Sequence, residues 1–243
     1  MISIRLGNVG SGKTAAAVRE MMLNQSKRKT YTNIRTIIKN CELINPSMII
    51  TKEISGYSKK GEAKYDYTLN VDFWKNINEP INIVLDEVHT ILNARRSMSK
   101  VNIILTDWMA LIRRVLGQAE SGYGELVLIS QLHNRIDIVA REMATNVRYH
   151  ICHYLKSCLR CGNTWAETSE SPEPRWICSC GSYRIKKHNH KIEVWHFAGM
   201  DMYIKWKEWG INTYHQHYLI DDIENYFKLY DTLQWDNLFS EFY

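Results

Sequence analysis

Residues 7 to 14 read Gly-Asn-Val-Gly-Ser-Gly-Lys-Thr, directly after an alternating apolar run (Ile2, Ile4, Leu6) and directly before a segment rich in Ala, Val, Met and Leu. A G-x-x-x-x-G-K-T pattern between a strand and a helix is a phosphate-binding loop. It restricts the fold more than any other feature of the chain, because the loop works only as the hinge of a strand–loop–helix unit. Backbone N–H groups of Gly7, Asn8, Val9, Gly10, Ser11 and Gly12 curl around the phosphates of a nucleotide, and Lys13 reaches the β and γ phosphates. Thr14 offers its hydroxyl to Mg²⁺. The helix expected from about Lys13 to Asn24 aims its positive N-terminal end at the same anion.

The rest of the chain supplies what such a unit must pack into. Ile81 to Leu85 and Leu126 to Ile129 are short, wholly apolar runs, the pattern of strands buried on both faces of a parallel sheet. Lys29 to Ile34 reads as another strand, Met48 to Thr51 as a short one, and Ser55 to Asp66 as a Gly/Lys/Ser-rich loop. Val101 to Leu116 carries Ile104, Leu105, Trp108, Leu111, Ile112 and Val115 at helical spacing and stops at Gly117. Ile136 to Ala144 reads as helix, Val147 to Leu155, Ile192 to Phe197 and Met202 to Trp206 as strands, and Asp221 to Leu233 as a terminal helix. Strands alternating with helices predict an α/β fold with a mainly parallel sheet and helices on both faces.

Composition narrows the class only a little. A net charge of +5 over 243 residues permits a polyanionic partner without requiring one. No run approaches the ~18 apolar residues of a membrane span. No basic-then-apolar leader precedes the first strand, so a cytosolic protein is expected. Cys41 and Cys152 stand alone and read as small buried hydrophobes.

Beyond the phosphate loop, the apolar run Ile83-Val84-Leu85 ends in Asp86-Glu87. Asp86 is placed to hold Mg²⁺ through a water, and Glu87, one residue on, to polarise an attacking water. The run Leu126 to Ile129 ends in Ser130-Gln131, and the Gln131 amide can sense a γ-phosphate if its strand lies between those of the phosphate loop and Asp86.

Leu85-Asp86-Glu87-Val88-His89, the helix bearing Arg113 and Arg114, Leu128-Ile129-Ser130-Gln131 and the segment Arg135-Ile136-Asp137 to Arg141 together resemble the FtsK/HerA superfamily of DNA-pumping ATPases. The likeness is to its viral genome-packaging branch and to the related zonula-occludens-toxin-like proteins of filamentous phages, over about Met1 to Leu155 and the ending near Tyr230-Asp231-Thr232. The resemblance implies a RecA-like P-loop NTPase core and a hexameric ring that hydrolyses ATP at subunit interfaces to drive double-stranded DNA through its pore. It also requires an arginine reaching a neighbour's γ-phosphate. Arg95, Arg96, Arg113, Arg114, Arg141 and Arg148 are candidates, with Arg148 and Arg114 preferred. The filamentous-phage proteins carry a membrane span and the cellular translocases further domains. A chain with neither is expected to be a minimal packaging motor.

Cys158-Leu-Arg-Cys161-Gly and Cys178-Ser-Cys180-Gly lie outside that resemblance. Two tight turns bearing four thiolates can close a tetrahedral Zn²⁺ site, a pattern close to a zinc ribbon although the second knuckle is one residue short. A redox pair, or His188 or His190 replacing one thiolate, is the alternative. Arg160, Arg175, Arg184, Lys186, Lys187, His188, His190 and Lys191, near aromatic side chains, give the segment a basic character suited to DNA phosphates or to another protein.

The expected organisation is an ATPase core over 1–155, a zinc-ribbon insertion over 156–191, and return strands with a final helix over 192–243. The expected function is ATP-driven packaging of double-stranded viral DNA into a preformed capsid, in the host cytoplasm and transiently at the virion, with a capsid or virion-membrane protein as a further partner. Alternatives are a cellular or plasmid translocase or helicase, or a non-motor nucleotide-dependent assembly protein. The loop Gln118 to Glu125 is the expected DNA-facing element.

Overall fold

The computed structural model describes residues 1–58, 60–90, 100–118 and 123–231. In chain order the elements are β1 (Ile2–Leu6), α1 (Lys13–Asn24), β2 (Lys29–Thr32), β3 (Cys41–Leu43), α2 (Pro46–Ile49), β4 (Ile50–Tyr57), β5 (Ala63–Leu69), α3 (Val71–Lys75) and β6 (Ile81–Leu85). They continue with α4 (Lys100–Leu116), β7 (Leu126–Ile129), α5 (Ile138–Met143), β8 (Asn146–Cys158), β9 (Thr164–Thr168), β10 (Ile185–Phe197), α6 (Met200–Trp209) and β11 (Gln216–Ile220).

The main sheet runs β11-β10-β8-β1-β7-β6-β2-β3, with β9 paired to β8. From β8 to β3 every pairing is parallel. The antiparallel strands β9, β10 and β11 extend the β8 side. This is the mainly parallel α/β sheet predicted from the apolar runs.

Both faces are covered. On one, α4 buries Val101, Ile104, Leu105, Trp108, Met109 and Ile112 against Ile2, Ile4, Leu6, Ile83, Leu85, Leu126 and Leu128. Each large side chain withdrawn from water there contributes roughly 1.5–3 kcal/mol. On the other, Ala17, Val18 and Met21 of α1 meet Val84, Val127 and Ile129, while Ala15 and Ala16 meet Ile192, Val194 and Ile220. The small alanines let α1 lie close over the sheet.

Several expected elements differ. Met202 to Trp206 belongs to α6, not to a strand: Gly199 and Gly210 bound a helix whose Tyr203 and Trp206 pack on Phe197 and Tyr149. Pairing of β4 with β5 makes Ser55 to Asp66 part of a hairpin, and Met48 lies in α2 ahead of β4. After β11 the chain forms a 3₁₀ turn over Ile223–Leu229, not a long helix, and 232–243 lie outside the described residues. Arg95, Arg96 and the centre of the Gln118 to Glu125 loop lie outside them too. The expected boundaries at 155/156 and 191/192 fall within β8 and β10, which pair with each other from Phe197↔Val147 to Ile185↔Cys158. Among the described residues no helix is long and apolar enough to cross a membrane.

Candidate functional site

Parallel strands end together, so the residues that follow β1, β7, β6 and β2 share one edge of the sheet. β1 feeds the phosphate loop, β7 ends at Ser130-Gln131, β6 at Asp86-Glu87 and β2 at Asn33. Strand β7 bonds to both β1 and β6, which is the condition for Gln131 to stand between the loop and the acidic pair.

The loop is held by backbone geometry that only glycine supplies. Gly7 has φ 147°, and a Cβ there would lie 2.4 Å from the His150 carbonyl oxygen. Gly12 has φ 83°, and its Cβ would meet Ile192 Cδ1 at 2.3 Å. Strands β8 and β10 therefore press directly on the loop. Asn8 adds a third tie, donating to the Ser169 carbonyl at 3.3 Å.

Lys13 is buried and its ammonium donates to the carbonyls of Gly7 (2.8 Å) and Asn8 (2.9 Å) and to Ser11 Oγ (3.2 Å). Burial lowers its pKa, opposed by the charges of Asp86 and Glu87. Thr14 Oγ1 donates to Asp86 Oδ2 at 2.6 Å. Burial raises the Asp86 pKa against the Thr14 and Glu87 N–H bonds that favour the carboxylate. Asn33 fixes the Asp86 backbone from both sides, its Oδ1 accepting from the Asp86 N–H at 2.7 Å and its Nδ2 donating to the Asp86 carbonyl at 2.9 Å.

Glu87 adopts φ 50°, a left-handed conformation uncommon for a residue with a side chain. Its carboxylate accepts from Gln131 Nε2 at 3.3 Å, and His89 Nδ1 lies 3.2 Å from its second oxygen. Tyr230, from the chain's returning end, has its phenol pushed up to about 12 by burial and by the charge of Asp86.

The two preferred arginines fall in different settings. Arg148 is bound inside the chain, donating to Glu20 at 2.9 Å with Glu125 at 3.8 Å. Glu20 also receives Arg5, the register partner of Arg148 across β1 and β8. This ion triad braces α1 against the sheet beneath the loop. Arg114 is exposed at the end of α4, as is Arg113.

Asn33, Glu20, His150 and Ile192 escaped sequence reasoning. Asn33 alone had a usable signal: a polar residue directly after a strand that turns out to neighbour β6. The other three depend on long-range placement.

At the far end of the β8–β10 pair, the sulfurs of Cys158, Cys161, Cys178 and Cys180 all lie within 4.8 Å of one another. Cys158 and Cys180 approach to 3.7 Å, and Cys161 and Cys178 to 3.5 Å. A tetrahedron of ~2.3 Å Zn–S bonds has edges of about 3.8 Å, so the donor set fits a divalent metal. Each knuckle closes by a glycine N–H at 2.9 Å, Gly162 to the Cys158 carbonyl and Gly181 to the Cys178 carbonyl. The Cys161 N–H draws the Cys158 thiol down to about 6. Cys152 is buried and its thiol pushed up to about 11, an inert hydrophobe, while Cys41 is half-buried.

A phosphate loop opening α1, an acidic pair on the strand two places away, and a polar residue ending the strand between define a P-loop NTPase fold. Residues 1–174, more than two thirds of the chain, match the zonular occludens toxin (Zot) family, and the chain belongs to that family. Among solved structures it is similar to the N-terminal domain of zonular occludens toxin from Neisseria meningitidis, at 16% identity and a TM-score of 0.46, covering 95% of this chain and 98% of that one. It is also similar to the genome packaging NTPase B204 from Sulfolobus turreted icosahedral virus 2, solved with ATP-gammaS, at 11% identity and a TM-score of 0.33, covering 61% and 74%. No curated protein matches the chain.

Proposed function

We propose that the chain is an ATP-driven double-stranded DNA translocase of the FtsK/HerA type that packages a viral genome into a preformed capsid. The observation that carries the reading is the convergence of Thr14, Asp86, Glu87 and Gln131 on one sheet edge, with contacts of 2.6 and 3.3 Å. Phosphate oxygens of ATP take over from the loop carbonyls as partners of Lys13. Thr14 and Asp86 hold Mg²⁺, Glu87 orients and deprotonates the attacking water, and Gln131 reports the γ-phosphate to the rest of β7.

Motor action needs a cation from a neighbouring copy to stabilise transition-state charge, and a hexameric ring supplies it. Arg114 is the better candidate, being exposed, whereas Arg148 is engaged by Glu20. The four cysteines hold Zn²⁺ in a closed, structural site. The protein works in the host cytoplasm and meets a capsid or virion-membrane protein during packaging.

The test is ATP hydrolysis with and without double-stranded DNA, together with the oligomeric mass in ATP. Stimulation by DNA in a species of about six subunits supports the reading. Slow turnover, indifferent to DNA but altered by a capsid or membrane partner, would instead identify an assembly switch.

A further inference from the structure

The cysteine cluster sits at the end of an arm. Strand β8 pairs with β1 only as far as Tyr149↔Leu6, then continues to Cys158. Nine further residues at ~3.3 Å each carry the knuckles roughly 30 Å past the sheet edge that holds the phosphate loop. The tip of this arm, residues 158–163 and 174–188, contains Arg160, Arg175, Arg184, Lys186 and Lys187 and no acidic residue. All five cations are exposed. A divalent ion with four thiolates carries a net charge of about −2, which five cations outweigh.

Among them stand aromatic rings that the fold leaves uncovered. Trp176 is 64% exposed and Tyr183 75% exposed. Trp176 is held in place: Lys156 Nζ lies 4.7 Å and Lys187 Nζ 5.6 Å from its ring, and buried Lys156 is anchored by Glu167 at 2.7 Å and by the Arg175 carbonyl at 2.5 Å. Arg175 in turn lies 5.3 Å from the Trp165 ring.

We infer that the tip binds single-stranded nucleic acid, with bases stacking on Trp176 and Tyr183 and phosphates on the surrounding arginines and lysines. A polyanion is selected by five exposed cations that outnumber the acids beside them, Glu167 and Glu173, and exposed bases are selected by rings that a duplex, its bases already stacked, cannot use. The site is separate from the nucleotide site and does not depend on the packaging role. It does imply that an engaged strand or frayed end is held on an arm whose base presses on Gly7 and Gly12.

The experiment is fluorescence anisotropy of a labelled oligo-dT of about 20 residues, and of a duplex of equal length, with the full zinc-loaded chain over a salt series. Single-strand binding should exceed duplex binding, with Kd rising steeply with salt. Trp176→Ala and Tyr183→Ala should each weaken it by about tenfold or more. Trp176→Phe should restore most of the affinity, and basal ATP hydrolysis should be unchanged in all three variants. Arg160→Ala with Arg184→Ala should flatten the salt dependence. Equal affinity for both oligonucleotides that ignores loss of Trp176 and Tyr183 would overturn the inference. So would the absence of binding by a chain that still hydrolyses ATP, a result that leaves the nucleotide site's assignment intact.

Discussion

The Thr14 hydroxyl donates to the Asp86 carboxylate at 2.6 Å, joining the first turn of α1 to the end of β6 across an intervening strand. Two segments far apart in sequence thereby bring one hydroxyl and one carboxylate together at the mouth of the phosphate loop. Burial holds this carboxyl's pKa above its ordinary value even with Thr14 bonded to it.

That shift has a sign. The folded chain holds the Asp86 proton more tightly than the unfolded chain does. The group's contribution to stability is therefore most favourable at low pH, and it declines as pH rises from the ordinary carboxylate value of ~4 through the raised folded one. Asp86→Asn removes the cost. Without Mg²⁺ the variant should melt about 2–4 °C higher at neutral pH, with the difference shrinking below pH ~4. It should also lose Mg²⁺-dependent hydrolysis by about 10²-fold or more. Differential scanning calorimetry across pH checks the first and steady-state kinetics the second; an unchanged or lower melting temperature contradicts the stability claim.

Glu20 answers to two guanidinium groups, the buried Arg5 at 1% exposure and the partly buried Arg148. Burial pushes its pKa up, and the charges of Arg5 and Arg148 outweigh burial and hold it below the ordinary value. A depressed carboxyl gives stability that is present above its unfolded pKa and lost as pH falls through the folded one. Glu20→Gln should destabilise by about 3 kcal/mol, the lower end of the range for breaking a buried pair, because Glu20 keeps 32% of its side chain exposed. Urea unfolding at pH 7 and pH 3 measures this, and the difference between variant and parent should narrow at the lower pH.

The cysteine arm should respond to metal independently of the loop. Chelation, or Cys178→Ser, should remove hydrogen-exchange protection from residues 158–185, where Gly162 and Gly181 close the knuckles. Nucleotide affinity should change by less than about threefold, since Gly7 and Gly12 rest on His150 and Ile192, well inside the paired strands. Protection that survives complete chelation means the four thiols hold no structural metal.

What was legible in the sequence follows from how local each signal is. The loop at residues 7–14, the apolar runs ending in Asp86 and Gln131, and the stripe from Ile104 to Val115 are short-range patterns, and the sheet and α4 formed where they pointed. Tyr203, Lys205 and Lys207 alternate with apolar neighbours and imitate a strand. The flanking glycines and the packing of Tyr203 and Trp206 on Tyr149 and Phe197 select helix instead. The β4–β5 hairpin is exposed along most of its length, so it has no apolar alternation to read. The clamp of Asn33 on Asp86, the Arg5–Glu20–Arg148 triad and the press of Ile192 on Gly12 join residues 15 to 180 positions apart, beyond any local pattern.

In the proposed function Glu87, held by Gln131 at 3.3 Å, is the base of a DNA-coupled ATPase. This role is tested most directly by steady-state ATP hydrolysis of the parent chain and of Glu87→Gln, each with and without double-stranded DNA, with nucleotide binding measured alongside. Hydrolysis should rise with DNA in the parent and fall by about 10²–10⁴-fold in Glu87→Gln, while ATP still binds. Hydrolysis in Glu87→Gln at the parental rate, with or without DNA, would contradict this role.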